Sequence, residues 1–191
     1  MTKRFTSIIL TAVLCVSLCA CSAEDDKSTN TQGDNSAKAM SSVSSFPDTM
    51  PEFSVTDLDG NTVTNDIFSQ VDLTVVNFWG TFCGPCISEM PELGEWSKSM
   101  PDNVQIIGII TDVESEDSQE YADAQHFIEQ TGASYVHLPV SGDFSELLEH
   151  IVGVPTTIFV DKEGNIVGDP IIGVNVEGYK NFVEEYLNGQ Q

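Results

Sequence analysis

Cys83 and Cys86 stand two residues apart, behind the apolar run Val75-Val76-Asn77-Phe78-Trp79 and ahead of a stretch that reads as helix. Residues three apart on a helix share one face, with Cβ atoms roughly 5–6 Å apart. A small local adjustment brings such a pair to disulfide distance. Gly84 and Pro85 suit a tight first turn, where the N–H that Pro lacks would have no partner. Cys83 then lies where free N–H groups and the helix dipole stabilise negative charge. That favours the thiolate, the form that attacks disulfides. Strand, turn, cysteine pair and helix together describe a thiol–disulfide exchange site.

The elements around this pair follow from the apolar pattern. Glu52 to Val55 and Thr62 to Thr64 flank Asp57-Leu58-Asp59-Gly60-Asn61, a turn signal that predicts a β-hairpin. Leu73 to Trp79 is a nearly continuous apolar strand, as expected in the middle of a sheet covered on both faces. The helix carrying the cysteines should run to about Ser99, with Pro91 kinking it. Val104 to Thr111 predicts a second buried strand and Tyr135 to Val140 a third central one. Between them, Tyr121, Ala124, Phe127 and Ile128 mark the apolar face of a helix over 118–131 that Gly132 ends. Phe144 to Ile151 reads as a short helix, and Thr156 to Val160 as a strand turned by Asp161-Lys162-Glu163-Gly164-Asn165 into Ile166 to Gly168. Tyr179, Phe182, Val183, Tyr186 and Leu187 have the spacing of a final amphipathic helix. Strands alternating with helices, then a hairpin and a helix, give an α/β sandwich with a mixed central sheet.

The 191 residues carry 30 acids against 7 bases, a formal charge of −23. Phosphate contacts need clustered Lys and Arg, so nucleic acid is excluded as a partner. The acids are spread through the chain and read as a solvated surface, with steering of basic partners the alternative. The other three cysteines, Cys15, Cys19 and Cys21, all lie near the N-terminus, so nothing remains for a structural disulfide framework. Residues 1–20 have a basic start (Lys3, Arg4) and a short apolar core from Ile8 to Leu18, the pattern of an export signal. Leu18-Cys19-Ala20-Cys21 resembles a bacterial lipobox, which implies cleavage before Cys21 and lipidation of it; Cys19 at its middle position is unusual. Residues 21–46, rich in Ser, Thr, Asn, Asp and Ala, predict a disordered tether. Its reach, for about 25 flexible residues, is roughly 25–30 Å.

Trp79-Gly80-Thr81-Phe82-Cys83-Gly84-Pro85-Cys86 resembles the active-site motif of the thioredoxin fold, and Gly153-Val154-Pro155-Thr156-Thr157 resembles its cis-proline loop. The hairpin before the first core strand, and the strand and helix inserted before Pro155, are similar to the membrane-anchored extracytoplasmic thiol–disulfide oxidoreductases of the ResA and TlpA type. The resemblance implies a thioredoxin-like three-layer α/β/α sandwich over residues 47–191, with an extra N-terminal β-hairpin and a strand/helix insertion before the cis-proline. It also implies roles. Cys83 would be the exposed nucleophile and Cys86 the buried resolving cysteine, the two forming the redox disulfide. Pro155 would be cis against the sulfurs, Val154 would pair its backbone with extended substrate, and Trp79 would shelter one side of the site.

Asn77 departs from the thioredoxin pattern, which holds a titrating Asp there. Glu89 matches a Glu that lies near the site in ResA-like proteins, and is expected to tune the cysteines and relay a proton; the alternative is a solvated helix carboxylate. Phe82 stands where many relatives have a second Trp and reads as a conservative surface contact. His126, His137 and His150 stand singly and read as surface or partly buried groups, and one CxxC supplies only two of the roughly four ligands a zinc site needs. Asp112, Glu114, Glu116 and Asp117 read as a solvated loop. There is no phosphate loop or dinucleotide fingerprint, so no cofactor is expected. Electrons would come from another thiol protein, by resemblance a membrane donor of the CcdA or DsbD type.

The expected activity is reduction of protein disulfides at the outer face of the bacterial cytoplasmic membrane. Targets would be apocytochrome c cysteines before haem attachment or a surface methionine sulfoxide reductase. Oxidation of folding substrates is the reverse reading. A thiol peroxidase usually wants a Thr and an Arg around the attacking Cys, and Arg occurs only at Arg4. A non-catalytic lipoprotein that binds a metal or a partner is the reading outside enzymes.

Overall fold

The computed structural model describes residues 46–189. The expected signal, the lipidation site Cys21 and the rest of the expected tether lie outside the described residues. Phe46, the first described residue, packs its ring edge-on against His150, with centroids 5.7 Å apart. Among the described residues no helix is long and apolar enough to cross a membrane.

The chain opens with a hairpin of β1 (Ser54–Thr56) and β2 (Thr62–Thr64). Its turn is held by the Asp57 carboxylate, which accepts the backbone N–H groups of Asp59 and Asn61 at 3.0 and 2.8 Å, while Gly60 takes φ +85°. The turn at Asp161 repeats the device, with Glu163 and Asn165 donating at 3.0 and 2.8 Å and Gly164 at φ +85°. In both, a short carboxylate satisfies N–H groups that the reversal leaves unpaired, and Gly adopts a backbone that a side chain would oppose.

The remaining strands are β3 (Leu73–Trp79), β4 (Val104–Ile110), β5 (Val136–Pro139), β6 (Thr156–Asp161) and β7 (Ile166–Ile172). They form one sheet in the order β5-β4-β3-β6-β7, with β3 parallel to β4 and antiparallel to β6. The fold is therefore a thioredoxin-like α/β arrangement around a mixed five-stranded sheet. Every residue of β3 is buried, as its unbroken apolar run predicts.

The helices are α1 (Gly84–Ser97), α2 (Gln119–Thr131), α3 (Ser145–Leu148) and α4 (Val176–Gly189). Alternation along β3 assigns the two faces. Val76 and Phe78 pack with Phe53, Phe68, Phe144 and Leu147, so that face is covered by the hairpin region, a 3-10 turn over Asn65–Gln70, and α3. Leu73 and Val75 pack with Leu93 of α1 and with Tyr179 and Val183 of α4, while Trp79 meets Met90 of α1 and Ala124 of α2. One outer layer is thus three helices and the other is thin.

Three expectations need correction. Tyr135 to Val140 is not central: β5 is four residues long and forms an edge beyond β4. It reads as buried because the hairpin lies along its outer side, where Leu58 N–H donates to the His137 carbonyl at 3.2 Å. The last strand runs past Gly168 to Ile172, because β7 is also an edge and Pro170 needs no second partner there. The short helix begins later, as Gly142–Phe144 is a 3-10 turn capped by the Ser141 hydroxyl.

Candidate active site

The sulfurs sit where β3 gives way to α1. Cys83 is the N-cap of that helix, with extended backbone (φ −95°, ψ 94°), and its Sγ accepts the Cys86 N–H at 3.2 Å. Pro85 occupies the first turn and costs no hydrogen bond there. Cys83 and Cys86 form a disulfide with Cα atoms 5.3 Å apart. The two sulfurs differ in access: Cys83 is 6% exposed and Cys86 fully buried. A reagent arriving from solvent meets Cys83.

The loop leading to Cys83 is pinned from β4. Thr81 donates its N–H to Asp112 at 3.0 Å and its hydroxyl to the same carboxylate at 2.5 Å, and Thr111 N–H donates to the Trp79 carbonyl at 2.8 Å. Asp112 was expected in a solvated loop. It holds this turn instead, because the parallel pairing of β3 and β4 brings the ends of both strands together.

Across from the sulfurs lies Val154-Pro155, joined by a cis peptide bond. Cys83 Sγ is 3.5 Å from the Val154 carbonyl oxygen. The loop is closed by the Thr156 hydroxyl, which donates to the Gly153 carbonyl at 2.6 Å, and the Gly173 N–H donates to the Pro155 carbonyl at 2.7 Å. A groove of about 490 Å³ runs beside Cys83, walled by Phe82, Leu148, Ile151, Val152 and Val154.

Among the described residues, the exposed large apolar side chains gather at this end. Phe82 is 72% and Val152 80% exposed on the groove, and Ile172 and Val174 flank the Gly173 that holds Pro155. On a surface otherwise rich in acids, such a patch marks a contact site. Only Phe82 was singled out in the sequence. Val152 and the run Ile171-Ile172-Gly173-Val174 carry a weak signal, an apolar stretch continuing past the end of its strand.

Glu89 lies one turn beyond Cys86 on α1 and is 3% exposed, so it is not a solvated helix carboxylate. Asn77 Nδ2 donates to its Oε1 at 3.0 Å and also to Thr157 Oγ1 at 3.1 Å. The Tyr179 hydroxyl donates to Oε2 at 3.2 Å. Burial pushes the Glu89 carboxyl up to about 7, against the two hydrogen bonds that favour its ionised form. A carboxyl poised there can take or give a proton at working pH.

Trp79 was expected to shelter one side of the site. It is fully buried and forms the floor of the site, packed with Cys83, Cys86 and Met90. Its indole N–H donates to His137 Nδ1 at 3.2 Å, and His137 Nε2 lies 2.9 Å from the Ala133 carbonyl. An indole only donates and a carbonyl only accepts, so the proton of this imidazole is on Nε2. His137 is therefore neither a surface nor a partly buried group. Burial lowers its pKa to about 4, so the ring is neutral at physiological pH. The sequence hid this because Tyr135 and Trp79, which enclose the ring, lie on different elements.

Gly108 makes room for the pair. A Cβ there would overlap His137 Nδ1 and come within 2.9 Å of Trp79 Nε1. Gly108→Ala is expected to lower stability by about 1–3 kcal/mol through this overpacking, as measured by urea denaturation. Unchanged stability would mean that the floor yields freely.

Residues 47–168 match the AhpC/TSA family. The chain is 34% identical over 142 residues to the thiol–disulfide oxidoreductase ResA of Bacillus thuringiensis strain Al Hakam, covering 72% of this chain and 73% of that one. It is 28% identical over 116 residues to the sporulation thiol–disulfide oxidoreductase A of Bacillus subtilis, covering 59% and 67%. Among solved structures, the thioredoxin domain of a Bacteroides vulgatus thiol–disulfide oxidoreductase superposes with a TM-score of 0.59 at 29% identity, covering 72% of this chain and 94% of that one. With the cysteine pair at the head of α1 and a cis-proline opposite, these likenesses agree with the site: the chain belongs to the AhpC/TSA family of the thioredoxin fold and is a thiol–disulfide oxidoreductase of the ResA type.

Proposed function

We propose that this oxidoreductase works outside the cytoplasmic membrane, held there by a lipid on Cys21, and that it reduces protein disulfides. The location rests on the signal pattern of residues 1–20, the Leu-x-Ala-Cys ending and the polar tether. The observation that carries the reductase reading is the unequal setting of the two sulfurs. One reaches an apolar groove, and the other is sealed in one turn from a carboxyl poised near neutrality.

In the reduced protein, the Cys83 thiolate attacks one sulfur of the target disulfide, and the other target sulfur leaves and takes up a proton. Cys86 then gives its proton to Glu89 and attacks Cys83. The second target sulfur leaves and is protonated in turn. Two electrons pass to the target, and the protein is left with the Cys83–Cys86 disulfide. A membrane thiol protein of the CcdA or DsbD type would restore the dithiol. Val154 offers its backbone to an extended segment of target, and Phe82 and Val152 seat the apolar residues that flank the target cysteine. Apocytochrome c cysteines and a surface methionine sulfoxide reductase are the target classes proposed.

Cys86→Ser tests this reading. It keeps the attacking sulfur and removes the one that resolves, so the first exchange stalls as a mixed disulfide. Such adducts, trapped in cells and identified by mass spectrometry, should consist of exported proteins. Absence of adducts, or adducts confined to cytoplasmic proteins, would sink the proposal. The reduction potential of the pair should lie below about −200 mV; a value near the about −120 mV of strong oxidants would reverse the direction.

A further inference from the structure

The buried cluster around Glu89 ends in a residue that the exchange steps do not use. Tyr179 of α4 is fully buried, and its hydroxyl faces two acceptors, Glu89 Oε2 at 3.2 Å and the Gly173 carbonyl at 2.9 Å. A phenol has one proton and cannot donate fully to both. Its oxygen meanwhile accepts the Asn175 N–H at 3.3 Å. Gly173 is tied onward, since its own N–H donates to the Pro155 carbonyl at 2.7 Å. Glu89 is therefore linked through Tyr179 to Gly173, which takes the phenol at its carbonyl and gives its N–H to the cis-proline loop, whose Val154 carbonyl lies 3.5 Å from Cys83 Sγ.

We infer that Tyr179 is a positioning residue that couples the proton on Glu89 to the loop holding Pro155. When Glu89 is ionised, its charge draws the phenol proton, because a charge-assisted hydrogen bond outweighs one to a neutral carbonyl. When Glu89 is protonated, its carboxyl becomes a donor and gives a hydrogen bond to the phenol oxygen. The phenol proton then turns to the Gly173 carbonyl. The bond between Glu89 and Tyr179 reverses its sense and the bond to the Gly173 carbonyl is strengthened, and a single added proton accounts for the change. Burial raises the Tyr179 hydroxyl to about 12, so the rotor keeps its own proton throughout. The consequence is directional: each time Glu89 takes the Cys86 proton, the hold on Gly173, and through it on the cis-proline loop, tightens.

The groups facing Glu89 leave it as the one free to switch. Asn77 of β3 and Thr157 of β6 do not titrate. Tyr135, ahead of β5, is pushed far above the usual phenol range by burial and by the Glu89 charge, and its hydroxyl has no partner. His137, whose ring packs at a tilt against Tyr135 with centroids 4.4 Å apart, is neutral for the reason given above. On α1, Glu92 adds negative charge that raises Glu89, and it is paired with Lys180 of α4 at 2.7 Å. Cys86 is locked in the disulfide of the oxidised protein.

The use of this coupling rests on the reductase reading, but its test does not. It is made by NMR on the oxidised protein without substrate, where neither cysteine titrates. In the native protein, the Gly173 amide signal should move with the same midpoint as the Glu89 carboxyl carbon. In Tyr179→Phe, the Glu89 midpoint should rise by about half to one pH unit, since a donor to the ionised form is gone, and Gly173 should no longer follow it. In Glu89→Gln, the Gly173 titration should vanish, which separates it from any histidine. A purely structural Tyr179 would leave the Glu89 midpoint in place. A flat Gly173 signal in the native protein, or one that still follows Glu89 in Tyr179→Phe, overturns the inference. Should Tyr179→Phe fail to fold, the native and Glu89→Gln titrations decide it alone.

Discussion

Cys83→Ser lowers kcat/KM for disulfide reduction by at least roughly a thousandfold, about 4 kcal/mol of transition-state stabilisation. A hydroxyl at the N-cap would still receive the Cys86 N–H, so α1 should begin where it does now. What is lost is the sulfur nucleophile, since a hydroxyl does not form the anion that attacks a disulfide. Among the described residues no other thiol can substitute, because Cys86 is fully buried beneath Cys83. The disulfide goes too, but a cross-link spanning three positions closes a very short loop. In the chain-entropy account such a loop contributes only about 2 kcal/mol, so the variant should remain folded. Steady-state reduction of a model disulfide, with circular dichroism as control, checks this. Activity within tenfold of native would remove Cys83 from the role of attacking group. The contrast with Cys86→Ser is diagnostic, since that variant reacts once and stalls.

Glu89→Gln should stabilise the protein above neutral pH and slow it at the same time. The carboxyl titrates near 4.5 in the unfolded chain and at about 7 in the fold, because burial disfavours its charge. Below pH 4.5 both states are protonated and nothing is lost. As pH rises to 7 the unfolded chain releases a proton that the fold retains, and stability falls. The loss levels off at up to about 3 kcal/mol above pH 7. A neutral Gln removes it, although its amide offers Tyr179 no second acceptor and the gain will be smaller than that bound. His137 works in the opposite direction. It titrates near 6.5 unfolded and at about 4 folded, so stability falls as pH drops through that window. Between about pH 4.5 and 6.5 the two slopes offset one another in the native protein. In Glu89→Gln the acid slope stands alone, and urea midpoints should fall steeply from pH 6.5 to 4. Removing a proton acceptor should also cost about a hundredfold in rate and abolish the limb near pH 7. A variant with native stability at every pH would show that Glu89 ionises freely.

Much of the site was legible in the chain. The CxxC spacing, the N-cap at Cys83, the proline in the first turn and the two Asp-x-x-Gly-Asn reversals all depend on neighbours within five residues. Local sterics and backbone hydrogen bonding suffice to specify them. The apolar run of β3 announced a strand covered on both faces, and the resemblance placed Pro155 opposite the sulfurs.

Other features waited for the tertiary structure. Whether Glu89 is solvated or sealed depends on Tyr179, 90 residues away, and on Asn77 and Thr157 from two different strands. His137 read as a surface or partly buried histidine until Trp79 and Tyr135 enclosed it. The apolar rim around Cys83 is assembled from Phe82, Val152, Ile172 and Val174, of which the sequence marked only Phe82. β5 passed for a central strand because an apolar pattern reports that a face is covered, not which element covers it. The sequence alone determined which atoms react, since that follows from residue type and short-range geometry. Only the folded packing decided how they ionise and what they meet, because desolvation and contact depend on groups that distant segments bring together.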